Sequence, residues 1–246
     1  MTPAPMMIAS TRLVIGANIS VIRPVVDERP NPAVAVPGEL LADRAYAELR
    51  DRIVTLAIAP GEPINEDALG RELEMGRTPV REAIKRLALE RLVTVYPRRG
   101  TFASEINITD LAAISDVRVQ LEGHAARRAA ERLTRDQRAQ LDTLVAEIDA
   151  REGSGDADAL MRLDAEIHRS VYAWSGNAYL QETLERYLNL SLRIWYLVLD
   201  RLPHLFDRVH EHRDLLAAIR AGQPKRAHDI AADHVATFET EIRGVL

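Results

Sequence analysis

The stretch RTPVREAIKRLALERLVTVYPRRGTFA, residues 77–103, decides the fold. At about 100° per residue, Val80, Ala83, Ile84 and Leu87 share one helical face, while Arg77, Arg81 and Lys85 recur every fourth residue about 100° away. One face is built to pack and the other to meet something anionic. Thr78-Pro79 reads as a hydroxyl cap followed by proline at the first helical position, opening a helix that runs to about Arg91. Two short β-like runs follow, Leu92–Tyr96 and Thr101–Ala103, separated by the turn Pro97-Arg98-Arg99-Gly100. Upstream, Leu41, Ala45, Leu49, Ile53 and Leu56 repeat at helical spacing until Pro60-Gly61. Asn65 then caps a second short helix, with Glu66 and Asp67 in its first turn, that stops near Gly76. Helix, helix, turn, helix and hairpin make a winged helix-turn-helix over residues 39–105, with the hairpin as its wing.

Beyond this unit no strand pattern interrupts the chain. Helices are expected at about 109–132, 134–152, 157–175, 178–202, 207–221 and 224–242, so residues 106–246 read as an all-α antiparallel helical bundle. Thr134-x-x-Gln137 is a capping box, Gly153-Ser154-Gly155 a loop, and Ser175-Gly176-Asn177 closes one helix and caps the next. Residues 1–38 carry six prolines and no sustained amphipathic period, and read as a mobile extension containing a β-like run at 11–26. The fold class is mainly α, with three segments: 1–38, 39–105 and 106–246.

Composition sets the outer limits. The 246 residues, 47% hydrophobic and 28% charged, are those of an ordinary globular chain. Cysteine is absent, which removes disulfides, thiolate metal sites and cysteine nucleophiles together. No apolar run reaches the length that spans a bilayer and no secretory pattern opens the chain, so a cytoplasmic protein with no membrane partner is expected. The net charge of −5 argues against nucleic acid only as a total, because residues 71–100 hold eight basic side chains against four acidic ones. Charge within about 8–10 Å governs binding, and this window is locally positive.

Arg77, Thr78, Arg81 and Lys85 on the third helix, with Arg98, Arg99 and Gly100 at the wing, are the candidate DNA contacts. Arginine in a major groove can donate paired hydrogen bonds to guanine O6 and N7. Arginines at a hairpin tip reach phosphate or the minor groove, and glycine there permits close backbone approach. The competing reading is a solvated face paired with Glu74, Glu82 and Glu90. Double-stranded operators read this way are usually two-fold symmetric and bound by a homodimer.

In the bundle, Asp164 and His168 stand one turn apart on the face of Leu160, Ile167 and Val171. His212 shares a face with Leu215, Leu216 and Ile219, and His234 one with Ile230, Ala231 and Phe238. Each helix would therefore bury polar groups, and a carboxylate and three imidazoles without partners are costly. Mutual coordination of a metal is one solution; separate hydrogen bonds in the core are another. Imidazole and carboxylate suit a divalent ion, zinc first, with nickel, manganese or iron as other occupants. Arg118 lies on the face of Leu111, Ile114, Leu121 and Ala125, four residues before Glu122, with which an intrahelical pair is possible.

The run Arg77-Thr78-Pro79-Val80-Arg81-Glu82-Ala83-Ile84, with Arg86-Leu87, the Pro97–Gly100 wing and the Ala59-Pro60-Gly61-Glu62 turn, resembles the GntR family of bacterial transcription regulators. Asp164-x-x-x-His168, Ser175-Gly176-Asn177, Glu211-His212-Arg213, Ala218-Ile219-x-x-Gly222 and His234 resemble the FCD effector domain of its FadR subfamily. Gly76 departs from the usual Ser or Thr and removes a capping hydroxyl, and Gly70 stands where small Ala is usual. The resemblance implies a ligand-responsive regulator, most often a repressor. It implies a metal on Asp164, His168, His212 and His234, and a small organic acid as effector. An arginine in the helix of Arg118 often faces the ligand cavity in this family. A metal sensor and a metalloenzyme built on the bundle are the alternatives; no nucleophile or oxyanion loop favours the last.

Overall fold

The computed structural model describes residues 37–152, 156–201 and 205–245, and residues 36–246 form one compact unit. The extension with its β-like run, and the Gly153-Ser154-Gly155 loop, lie outside the described residues. Helix α1 (Pro37–Val54) begins at a proline, which suits the first helical position because its missing N–H would have had no partner. Strand β1 (Pro63–Ile64), helix α2 (Glu66–Glu72) and helix α3 (Arg77–Leu89) follow. The wing is β2 (Val93–Tyr96) and β3 (Gly100–Ala103). Asn65 caps α2 by accepting from the backbone N–H of Asp67 and Ala68.

Two details correct the sequence reading. The N-cap of α3 is Gly76, not Thr78, and no side chain caps that end, so Pro79 sits third in the helix. The helix therefore starts two residues before the expected position, with Thr78 and Pro79 inside its first turn. The sheet has three strands rather than two: β1 joins antiparallel to β3, with Ile64 opposite Thr101, giving the order β1-β3-β2. In the hairpin Val93 faces Ala103 and Tyr96 faces Gly100. Ala45, Leu49 and Ile53 of α1 pack on Val80, Ala83, Ile84 and Leu87 of α3, all buried. That burial leaves the other face of α3 in solvent.

The bundle comprises α4 (Asp110–Arg132), α5 (Arg135–Ala150), α6 (Ala157–Trp174), α7 (Ala178–Val198), a 3-10 turn (Leu199–Arg201), α8 (Leu205–Arg220) and α9 (Pro224–Val245). The Thr134–Gln137 capping box and the Asn177 cap form as expected. Helix α4 runs centrally and touches α6, α7, α8 and α9. Its approach to α9 depends on Gly123: a Cβ there would stand 2.9 Å from the His228 ring. Helix α7 also touches α1, so the winged-helix head and the bundle are in contact. No helix among the described residues is long and apolar enough to cross a membrane.

Candidate metal centre and nucleic-acid interface

Helices α6, α8 and α9 deliver Asp164, His168, His212 and His234 to one point. Each offers one ligand atom, and those four atoms lie within 4.8 Å of one another. Asp164, His168 and His212 are each at most 4% exposed. The Nε2 atoms of His168 and His212 are 3.3 Å apart, and Asp164 oxygens lie 3.8 and 3.7 Å from them. The His212 and His234 rings stand 4.3 Å apart between centroids.

What fixes the rings is on their other side. His168 Nδ1 is 2.8 Å from Glu122 Oε2 and His212 Nδ1 is 3.2 Å from the Val209 carbonyl. His234 Nδ1 faces Glu211 Oε2 at 3.6 Å. At His168 and His212 these acceptors favour the proton on Nδ1 and turn Nε2 inward, as supporting groups do for metal-bound histidines, while the His234 contact is longer than a hydrogen bond. Two Nε2 lone pairs 3.3 Å apart repel unless a proton or cation lies between them. The spacing also fits two nitrogens each about 2.0–2.1 Å from one tetrahedral zinc. Asp164 Oδ2 and His234 Nε2 are buried with no hydrogen-bond partner. Separately satisfied core histidines would not leave these atoms orphaned, so the residues fit a divalent ion.

At His212 the electrostatics agree with that donor set; at His168 they favour the proton, which a bound ion would have to displace. Burial, then the neighbouring His234 and His168 rings, push His212 well below its ordinary value and keep it neutral, the form that ligates. At Glu122 burial works upward, but Arg118 and His168 hold the carboxyl down to about 2. At His168 burial opposes the charge, and Glu122 and Asp164 outweigh it, raising the imidazole. Glu122 is the residue the sequence reading passed over. Its spacing marks it only as a partner of Arg118, and nothing local shows that α6 brings His168 to its other oxygen.

Arg118 is buried and donates from Nε to Glu122 Oε1 at 2.6 Å, so the intrahelical pair exists. Its Nη2, however, has no partner. The guanidinium stands 5.5 Å from the Trp195 ring, whose Nε1 is also buried and unpartnered. Two N–H donors are thus unspent beside the chamber. A cavity of about 250 Å³ borders His212 and His234 on the side of Arg208, Asp233 and Thr237. That is room for a small molecule.

On the head, Arg77, Thr78, Arg81 and Lys85 are exposed on the free face of α3. Three of them are paired: Arg77 with Asp67, Arg81 with Glu66 and Lys85 with Glu82, each at 2.7–2.8 Å. None of the acids named beforehand for the first two is the partner, because α2 lies alongside and supplies its own first-turn carboxylates. Such exposed pairs are worth at most about 1 kcal/mol and yield to phosphate. At the wing, Arg99 donates its N–H to the Tyr96 carbonyl at 3.1 Å, closing a turn with Pro97 and Arg98 at its centre. Arg98 has φ 64° and Gly100 φ 107°. Glycine suits such backbone; arginine there costs about 1–2 kcal/mol. Strain of this kind concentrates at working positions.

A winged helix presenting arginines, joined to a helical bundle with a buried carboxylate-histidine cluster, is the build of a DNA-reading regulator with a second, helical domain. The chain belongs to the GntR family of bacterial regulatory proteins and carries an FCD domain, the two family descriptions matching residues 41–103 and 113–237 respectively. It is 24% identical over 209 residues to the HTH-type transcriptional repressor RspR of Escherichia coli, covering 85% of this chain and 92% of that protein. It is 34% identical over 141 residues to the Nta operon transcriptional regulator of Aminobacter aminovorans, covering 57% of this chain and 65% of that one. The solved structure of E. coli McbR/YncC superposes with a TM-score of 0.73 at 22% identity, over 83% of this chain and 97% of that one, and shares its fold. The chain is therefore a DNA-binding transcription regulator, and the metalloenzyme reading is set aside: family and relatives are regulators.

Proposed function

We propose that this regulator is an effector-responsive repressor of the FadR subfamily, acting as a homodimer on a two-fold-symmetric operator. The head over residues 39–105 reads DNA through Arg77, Thr78, Arg81, Lys85, Arg98, Arg99 and Gly100. The bundle over 106–246 senses a small organic acid. Asp164, His168, His212 and His234 would hold one divalent ion, zinc before nickel, manganese or iron. When bound, such an ion supplies a positive centre with open positions for a carboxylate oxygen. Arg118 and Trp195 hold unspent donors for the same molecule, and Glu122 fixes His168.

The observation that carries this reading is the convergence of four ligand atoms within 4.8 Å, two with their supporting acceptors in place and two with nothing else to bind. Elemental analysis of protein purified without chelator or histidine tag tests it, with one ion per chain expected. His212→Ala should lose the ion and the effector response while keeping a folded head that still binds operator DNA. Wild-type protein holding far less than one ion per chain after refilling with zinc, nickel or manganese would overturn the site. Operator affinity changed by metal alone, with no acid, would make the metal itself the signal.

A further inference from the structure

A second cavity, of about 830 Å³, lies where the head meets the bundle. One wall is the head, with Leu89, Arg91 and Tyr96; the other is α4 and α7, with Ile114, Arg193 and Ile194. None of the four converging ligand residues lines it. Arg193 is its anomaly. This guanidinium is 2% exposed, donates from Nη2 to the Ser104 carbonyl at 2.5 Å, and leaves Nε without a partner. Among the described residues no carboxylate stands within ion-pair distance of it. Burial draws its value down to about 10, with Glu105 opposing from farther off. Of the acids around the cavity, Glu90 accepts from the Tyr46 hydroxyl and Asp110 from the Asn107 amide.

A buried cation without a counter-ion costs several kcal/mol, and proteins keep such a group where something supplies the missing charge. Arg91 and Arg186 add exposed positive charge at the rim. Between them Ile106, Ile114, Val117 and Ile194 present apolar surface. A volume of this size suits an organic molecule, and a planar guanidinium suits a carboxylate. We propose that this cavity is a second ligand site, which takes one small organic anion with its carboxylate on Arg193 and its apolar body against these four side chains. The molecule would touch head and bundle at once. The site is independent of the metal chamber and stands whether or not that chamber holds an ion.

Fluorobenzoate, a carboxylate with an apolar body, is the probe, and fluorine NMR of the full chain is the readout. Saturable binding at millimolar concentration or below is expected. Arg193→Met should weaken it about tenfold or more, the worth of one hydrogen bond to a charged group. Glu105→Gln, which removes the nearest free acid, should tighten it, and binding should persist in protein treated with chelator, in which the histidine chamber holds no ion. If Arg193→Met does not fold, Arg193→Lys replaces it: the charge stays, the fork goes, and weaker binding is still expected. Absence of saturation, or binding unchanged in both folded Arg193 variants, overturns the proposal. So does loss of binding on chelator treatment, which would place the probe at the histidine chamber. Inorganic phosphate competing as strongly as unlabelled benzoate would overturn the organic class.

Discussion

Replacing Glu122 by glutamine probes the chamber without touching any ligand atom. The carboxylate accepts from Arg118 at 2.6 Å and faces His168 Nδ1 at 2.8 Å, both from full burial. Glutamine keeps the shape but offers one oxygen and one NH₂, so one of the two N–H donors meets another donor. The Arg118 charge also loses its counter-ion. Removing one partner of a buried pair costs about 3–5 kcal/mol, against a total of about 5–15 kcal/mol for a typical protein. At a urea slope of about 2–3 kcal/mol per molar, the midpoint of the chelated protein should fall by about 1–2 M. Loss of the group that orients His168 should weaken metal binding about 10–100-fold, read by titration against a competing chelator. The double variant Arg118→Met/Glu122→Leu separates the two effects: it should recover most of the stability and none of the metal affinity. A Glu122→Gln protein with wild-type midpoint and wild-type affinity would refute the reasoning, since the carboxylate would then neither balance Arg118 nor steer His168.

Other expectations concern the head. Arg81→Ala should weaken operator binding by about 1–3 kcal/mol and random DNA hardly at all, measured by anisotropy on both DNAs; equal loss would put Arg81 on phosphate instead. Arg98→Gly should relieve the turn, offset in part by a looser unfolded chain, so thermal stability is kept or rises slightly. The same variant should bind operator and random DNA more weakly and with a salt slope smaller by about one; an unchanged slope removes Arg98 from the contacts. Asn65→Ala should cost about 1 kcal/mol by uncapping α2, seen in chemical denaturation.

Much of this architecture was legible because its signals are local. Apolar spacing and cap signals together located every α-helix of the described residues, and Asn65, the Thr134–Gln137 box and Asn177 marked starts that the structure shows as caps. Asp164 and His168 could be paired on paper because one helical turn fixes their relation. His212 and His234 could be suspected from their apolar faces, whereas their meeting depends on how α8 and α9 cross α6. The remainder is non-local. Strand β1 has two residues, too few to show alternation, and exists because β3 offers an edge. The second role of Glu122, the pairing of α3 with carboxylates of α2, and the lone cation at Arg193 arise from elements far apart in sequence. The start of α3 was misplaced for a simpler reason: Thr78-Pro79 looks like a cap, but glycine adopts the extended N-cap geometry without needing a hydroxyl.

The inward-facing cluster sets the stability of the bundle against the site proposed for it. Four polar side chains sit where leucine or phenylalanine would bury more apolar surface and leave no lone pairs opposed, so evolution toward stability alone would erase them. A bundle rebuilt with apolar residues at 164, 168, 212 and 234 should be hardier without metal than the natural one, and deaf. On the proposed reading, such a chain would be a regulator locked in one state with its fold intact.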